Sequence, residues 1–246
     1  VALSGTAANL VDALAGTFDS AHTGEVKVTG TYNVTQLKSI NAGTDGALHL
    51  ADRSIALTGS GSDLAAALTG NFTSNKTHTG VVKVTGTDYN VSDLVTINAG
   101  NEGGEINLAN RTIGLTGSAA NVKAALAGSF TAGETHTGVV TISDSGSAVT
   151  ATDITAISTA KGGTGNINIT NAVTLSGSGS EVKGAADALN TIHGSTDANI
   201  TGTDYTVTHL KAINDKVGGT ITLATSTAVA LSGTAANLVD ALAGTF

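Results

Sequence analysis

The sequence predicts an α/β repeat solenoid of short stacked parallel strands and short helices, in half-repeats of about 28 residues that alternate within units of about 57. Three observations predict it. The block VALSGTAANLVDALAGTF at Val1 to Phe18 returns unchanged at Val229 to Phe246. Degenerate copies lie between, IALTGSGSDLAAALTGNF from Ile55, IGLTGSAANVKAALAGSF from Ile113 and VTLSGSGSEVKGAADAL from Val173, and they put Leu3, Leu57, Leu115, Leu175 and Leu231 in register at spacings of 54, 58, 60 and 56 residues. A second, related element sits between them, VKVTGTYNVTQLKSINAG from Val26, VKVTGTDYNVSDLVTINAG from Val82, a diverged VVTISDSG from Val139 and ANITGTDYTVTHLKAIN from Ala198. One continuous solenoid over 1–246 is expected, with units 1–54, 55–112, 113–172 and 173–228 and a partial fifth at 229–246.

Each half begins with a strand. Ile55-Ala56-Leu57 and Val82-Lys83-Val84 alternate with period two, and a further strand such as Glu105 to Leu108 or Thr220 to Leu223 precedes the first-version strand across a corner of Ala-Asn-Arg-Thr or Ala-Thr-Ser-Thr type. A helix follows. Ala7, Leu10, Val11 and Leu14 fall at i, i+3, i+4 and i+7 on one helical face. Ser178 with Glu181 has the capping-box spacing, Ser60 with Asp63 and Ser118 with Asn121 keep the Ser cap, and Gly16, Gly70 and Gly128 are placed to end the helices as C′ residues. In the second version Val34, Leu37 and Ile40 are three apart, as are Val207, Leu210 and Ile213, which suits one or two turns. Strands stack about 4.8 Å apart and helices about 8 to 10 Å, so the alternation is read as placing the two helix versions on different faces.

Composition narrows the function classes. Aromatic residues are 3% and charged residues 12%, so Val, Ile, Leu and Ala must build the core. A net charge of −8 has the wrong sign for a phosphate backbone, and no apolar run approaches a membrane span, so neither nucleic acid nor membrane insertion is expected. Without cysteine there is no disulfide, thiolate metal site or Cys nucleophile.

No residue is assigned a catalytic, cofactor-binding or metal role. His-Thr-Gly recurs at His22, His78 and His136, with a shifted relic at His193. Two histidines sharing a zinc need their nitrogens within roughly 4 Å, closer than a two-layer spacing allows, so these read as corner histidines bonded to backbone. His49 and His209 read as surface residues. The segments Asn98 to Glu105 and Asn41 to Gly46 carry calcium-type residues without calcium-loop spacing. Asp12, Asp63, Asp93, Asp153 and Asp240 recur within helical stretches, on solvent faces, and do not form the paired carboxylates of a glycosidase. The largest departure from the repeat, Ser143 to Thr152, reads as a variant surface loop.

The LSGTAANLVDALAG and VTGTDYNVSDLVTINAG units resemble those of very large tandem-repeat proteins of bacteria, cyanobacteria in particular, that are exported to the cell surface. The resemblance covers the whole chain, carries no catalytic residue across, and implies an extracellular or cell-surface location with an adhesion, surface-layer or filament role. The expected function is a structural repeat module, a stiff spacer or self-stacking segment without enzymatic activity or cofactor. Its expected partners are neighbouring repeats or other copies head-to-tail, with surface glycans a further candidate. The alternative is an adhesin-type module that binds carbohydrate or calcium.

Overall fold

The computed structural model describes residues 1–73, 77–162, 165–224 and 228–246; the Ala-Thr-Ser-Thr corner read from the sequence lies, beyond Ala224, outside them. The chain is α/β, with short parallel strands in several small sheets and nine short helices among the described residues. It divides into two compact units, 1–113 with 124–136, and 114–123 with 137–246.

In the first unit β1 (Leu3–Thr6), α1 (Ala7–Leu14), β2 (Val26–Thr29), α2 (Val34–Ala42) and β3 (Leu48–Leu50) give a sheet of order β1-β2-β3. The pattern repeats with β4 (Leu57–Gly59), α3 (Gly61–Leu68), β5 (Val82–Val84), α4 (Val91–Gly100) and β6 (Ile106–Leu108). In the second unit β7 (Leu115–Gly117), β8 (Val140–Ile142) and β10 (Ile167–Ile169) form one sheet. Strands β9 (Ala148–Thr150), β11 (Thr174–Gly177), β12 (Asp197–Ile200) and β13 (Ile221–Leu223) form another. The helices between them are α5 (Ala119–Leu126), α6 (Ala151–Ala160), α7 (Gly179–Ala188), α8 (Val207–Asn214) and α9 (Ala235–Leu242).

Like side chains stack because the pairing is parallel and in register: Leu3 on Val26 on Leu48, and Leu57 on Val82 on Ile106. These columns are the core. Val26, Val28, Val82 and Val84 are fully buried, each contributing roughly 1.5 to 3 kcal/mol relative to exposure. The first-version helices bury the expected face, with Ala7, Leu10 and Leu14 buried and Val11 half-buried on α1.

Four sequence expectations are corrected. The two helix versions do not take different faces: α1 packs on α2, α2 on α3 and α3 on α4, and in the second unit α6 on α7, α7 on α8 and α8 on α9. The chain meets the spacing problem with surplus strands. The β4-β5-β6 ladder gains a fourth rung where Ile106 bridges Phe130, so four rungs accompany two helices. Four rungs at about 4.8 Å and two helices at about 8 to 10 Å both come to roughly 16 to 20 Å.

The second-version helices exceed one or two turns, α2 having 9 residues and α4 10. Full capping boxes start them, Asn33 with Gln36 and Asn90 with Asp93. The Ser143 to Thr152 segment is only partly a loop. After a turn at Gly146 (φ 61°) it forms β9, which pairs with β11, and then opens α6, with Val149 and Ala151 buried. The glycines after the first-version helices stand where expected, but Gly16, Gly70 and Gly128 are absent from the positive-φ glycines, so none is a left-handed cap. Close packing requires two of them instead: a Cβ on Gly128 would overlap the Asn98 side-chain oxygen, and one on Gly70 would overlap that of Asn41.

Candidate functional site

Recurring polar side chains converge on the contacts between successive layers. The His-Thr-Gly corner shows how. His78 is fully buried; its Nε2 lies 2.6 Å from the Ile55 carbonyl oxygen and its Nδ1 2.8 Å from the Asn101 amide group. A carbonyl only accepts, so Nε2 carries the proton; a neutral ring then accepts at Nδ1, which Asn101 satisfies when its amide nitrogen faces the ring. His136 repeats the first contact, Nε2 to the Ile113 carbonyl at 2.6 Å. Tyr32 meets His78 edge-to-face, with ring centroids 6.5 Å apart. His78 and His136 thus tie one layer's turn to the segment that leads into the strand of the layer before, as expected of corner histidines, whereas the buried Nε2 of His22 has no such partner. The glycine of the motif is there for closeness: a Cβ on Gly24 would overlap the Val1 carbonyl, and one on Gly80 the carbonyls of Ser54 and Ile55.

A second tie runs from the end of three second-version helices, α2, α4 and α8. Asn41 Nδ2 donates to the Ala66 and Ala67 carbonyls at 3.0 and 2.6 Å, Asn98 Nδ2 to Ala124 and Ala125 at 2.8 and 2.7 Å, and Asn214 Nδ2 to Asp240 at 2.9 Å. Those are last-turn carbonyls of the following helix, beyond the reach of its regular i→i+4 bonds. The asparagine therefore caps the C-terminus of its neighbour, the role expected of a left-handed glycine.

Charged pairs cross the same boundary. Lys38 meets Asp63 at 2.6 Å, Lys123 meets Asp153 at 2.7 Å and Lys211 meets Asp240 at 3.0 Å. Each partner is at least partly exposed, so solvent screens the pair and it sets register more than stability. Of the recurring acids, Asp12 and Asp240 are exposed as expected, whereas Asp63, Asp93 and Asp153 are half-buried. Asp93 completes the α4 capping box.

The TGTDY loop supplies a third tie. Asp204 accepts from the Gly179 and Ser180 backbone N–H groups at 2.8 and 3.2 Å and from the Ser180 hydroxyl at 2.9 Å, capping α7 from the next layer. The Gly179 N–H, followed by the Ser180 groups, holds the Asp204 carboxyl below the usual carboxylate range. Asp144 does the same for α5 through the Ala119 N–H at 2.7 Å. The tyrosine beside it reaches the following corner: Tyr32 OH donates to Asp52 O at 2.8 Å and Tyr89 OH to Asn110 O at 2.6 Å. Burial pushes the Tyr89 hydroxyl up to about 12, and burial followed by Asp52 raises that of Tyr32.

The calcium-flavoured segments are built into these ties. In Asn98 to Glu105, Asn101 faces His78, Glu102 pairs with Arg53 at 3.0 Å and accepts from Thr77 at 2.6 Å, and Glu105 accepts from Thr131 at 3.2 Å. In Asn41 to Gly46 the Thr44 hydroxyl and the Asp45 N–H both donate to His22 O, at 2.7 and 2.8 Å. Among the described residues no three His, Asp or Glu side chains are grouped as metal ligands. His49 and His209 are half-buried rather than on the surface, His49 lying 3.7 Å from Glu25, and His193 accepts from Ser195 N within its own turn. A shallow groove of about 590 Å³ between α6 and α7 is lined by Thr155, Ala156, Thr159, Glu181 and Gly184 among others. Its one carboxylate, Glu181, accepts from Ser178 N to cap α7.

Sequence reasoning identified the corner histidines and missed the asparagine and aspartate ties. Their signal was present: Asn41, Asn98 and Asn214 hold one place in the second element, directly after Ile40, Ile97 and Ile213. No helix among the described residues is long and apolar enough to cross a membrane. No protein-family model and no curated protein matches the chain.

Proposed function

We propose that the protein is a structural tandem-repeat module, one α/β solenoid over residues 1–246 that serves as a spacer or self-stacking segment of a larger surface or secreted protein. One observation carries this reading. The polar side chains that recur from unit to unit, His78, Asn98 and Asp204 among them, bond to backbone of an adjacent layer, the arrangement expected of an array that holds itself together. The cell-surface setting and the non-catalytic role rest on the resemblance of the repeats.

The test is to lengthen the array. Chains carrying one and two extra copies of residues 55–112 are compared by small-angle scattering and by urea unfolding. Each added unit contributes two helices, so the longest dimension should grow by a constant step of about 16 to 20 Å, and the unfolding midpoint should not fall. Extra units that leave the dimension unchanged, or that unfold separately at lower urea, would refute the reading.

A further inference from the structure

The sequence carries Asn-x-Ser/Thr triplets starting at Asn33, Asn71, Asn75, Asn90, Asn110, Asn168 and Asn199. Such a triplet is an acceptor signal for asparagine-linked sugar where it lies on the surface with its amide open to a transferase. Asn75 lies outside the described residues; for the other six the fold decides which can serve.

Five are built in. Asn33 and Asn90 cap α2 and α4 through their side-chain oxygens, and the residues that complete their triplets, Val34-Thr35 and Val91-Ser92, already belong to the helix. Asn110 is half-buried; its side-chain oxygen accepts from the Thr112 N–H and hydroxyl at 3.1 and 2.9 Å, and its carbonyl accepts from Tyr89 at 2.6 Å. Asn168 and Asn199 lie within β10 and β12 with a neighbour on both sides, Thr141 and Thr191 for the first, Ser176 and Thr222 for the second.

Asn71 differs. It follows α3, is exposed, and its side chain makes no hydrogen bond among the described residues. The Phe72 N–H closes a tight turn onto Gly70 O at 2.9 Å, and Phe72 bridges Leu48 alone, so among the described residues the triplet is the outer rung of its ladder. The Thr73 hydroxyl makes one long bond, to Leu48 O at 3.3 Å. Asn71 also stands between two shallow grooves, of about 620 Å³ between α2 and α3 and about 390 Å³ between α3 and α4, and lines both with Thr69 and Gly70. Ala42 and Ala66 line one and Val95 and Ala99 the other, small apolar surfaces on which the C–H face of a sugar ring can lie.

We propose that Asn71 is an acceptor site for asparagine-linked glycosylation of the folded chain. Its Nδ2 attacks the anomeric carbon of a sugar carried on a diphosphate. The carbon–nitrogen bond forms, the bond from that carbon to the diphosphate oxygen breaks, and the diphosphate carrier leaves with the electron pair. A base of the transferase takes one amide proton, and nothing is oxidised or reduced. The inference is independent of how the array stacks.

The test uses the full-length chain with Asn75→Gln, so that the peptide carrying Asn71 holds a single triplet. In one arm it is incubated with a soluble asparagine glucosyltransferase and UDP-glucose, in the other with a membrane oligosaccharyltransferase and a lipid-diphosphate oligosaccharide, and occupancy is read by peptide mass spectrometry. The arms distinguish the carrier. In at least one of them Asn71 should be occupied at least about fivefold above Asn33 and Asn90, whose helix caps must open first. Short synthetic peptides of the same triplets should lose that ranking, because the fold imposes it. Ser129→Asn completes the same Asn-Phe-Thr at the equivalent corner, where the Phe130 N–H closes onto Gly128 O at 3.0 Å and Phe130 bridges Ile106, and it should create a second acceptor. Asn71→Gln should abolish the modification and leave the far-ultraviolet circular dichroism and melting temperature unchanged, since no side-chain bond is removed. An unmodified Asn71 in both arms, occupancy shared evenly with the capping asparagines, or a ranking that the peptides keep would overturn the proposal.

Discussion

Substituting Asn98 separates the asparagine tie from mere packing. Its amide nitrogen donates to two carbonyls at 2.8 and 2.7 Å, and its own oxygen has no partner. Asn98→Ala removes both bonds, at about 1 kcal/mol net each, for a loss of about 2 kcal/mol. Asn98→Asp keeps the shape, removes the donors and sets a carboxylate against two carbonyl oxygens at the negative end of α5. This adds roughly 0.3 to 1 kcal/mol to the loss. The expected order of stability at neutral pH is Asn, then Ala, then Asp. Urea unfolding followed by far-ultraviolet circular dichroism measures it; with a slope near 3 kcal/mol/M, Ala should lower the midpoint by about 0.7 M and Asp by about 1 M. Acid should narrow the gap between Asp and Ala, since a protonated carboxyl regains one donor. An aspartate variant as stable as the alanine variant at neutral pH would show that the amide donors are not what joins α4 to α5.

Two further substitutions probe the other ties. Gly46→Ala should lower stability by about 1 to 3 kcal/mol because its Cβ overlaps the Gly24 backbone. Gly194→Ala, whose Cβ meets nothing within 4 Å, should be neutral or stabilising by about 0.4 to 1 kcal/mol, and thermal melts that fail to separate the two would refute the close-stacking argument. Asp204→Asn tests the loop cap through pH. The folded carboxyl titrates below its ordinary value, so its stabilisation is complete above about pH 4 and is lost as pH falls through the lowered value. The melting-temperature gap between the parent and the variant should therefore be widest near neutrality and close in acid; a gap that widens on acidification would contradict the assignment.

Periodicity made much of the fold legible. The apolar positions of α1, the strands at Val82–Val84 and Ile106–Leu108, and the Ser60 and Ser178 caps follow from spacing alone, because they depend on residues a few positions apart. The candidate ties were less legible. Asn98 looks like any helix-end asparagine until Ala124 and Ala125 are brought beside it, and the Asn33 and Gln36 pair has the capping-box spacing but was obscured by the short apolar run after it. The segment Ser143 to Thr152 looked irregular because its strand is set by pairing with β11, a partner 26 residues away at Thr174↔Ala148.

The identical blocks draw the boundary most sharply. Sequence by itself determined that Val1–Phe18 and Val229–Phe246 share one pattern, and both form the same helix over the same eight residues with the same threonine cap, since a helix satisfies most of its backbone from within. Only tertiary structure decided that Leu3–Thr6 is a strand and Leu231–Thr234 is not, and which face of each helix is covered. A strand takes its hydrogen bonds, and a layer its buried face, from another part of the chain, so the same residues differ according to the neighbour beside them.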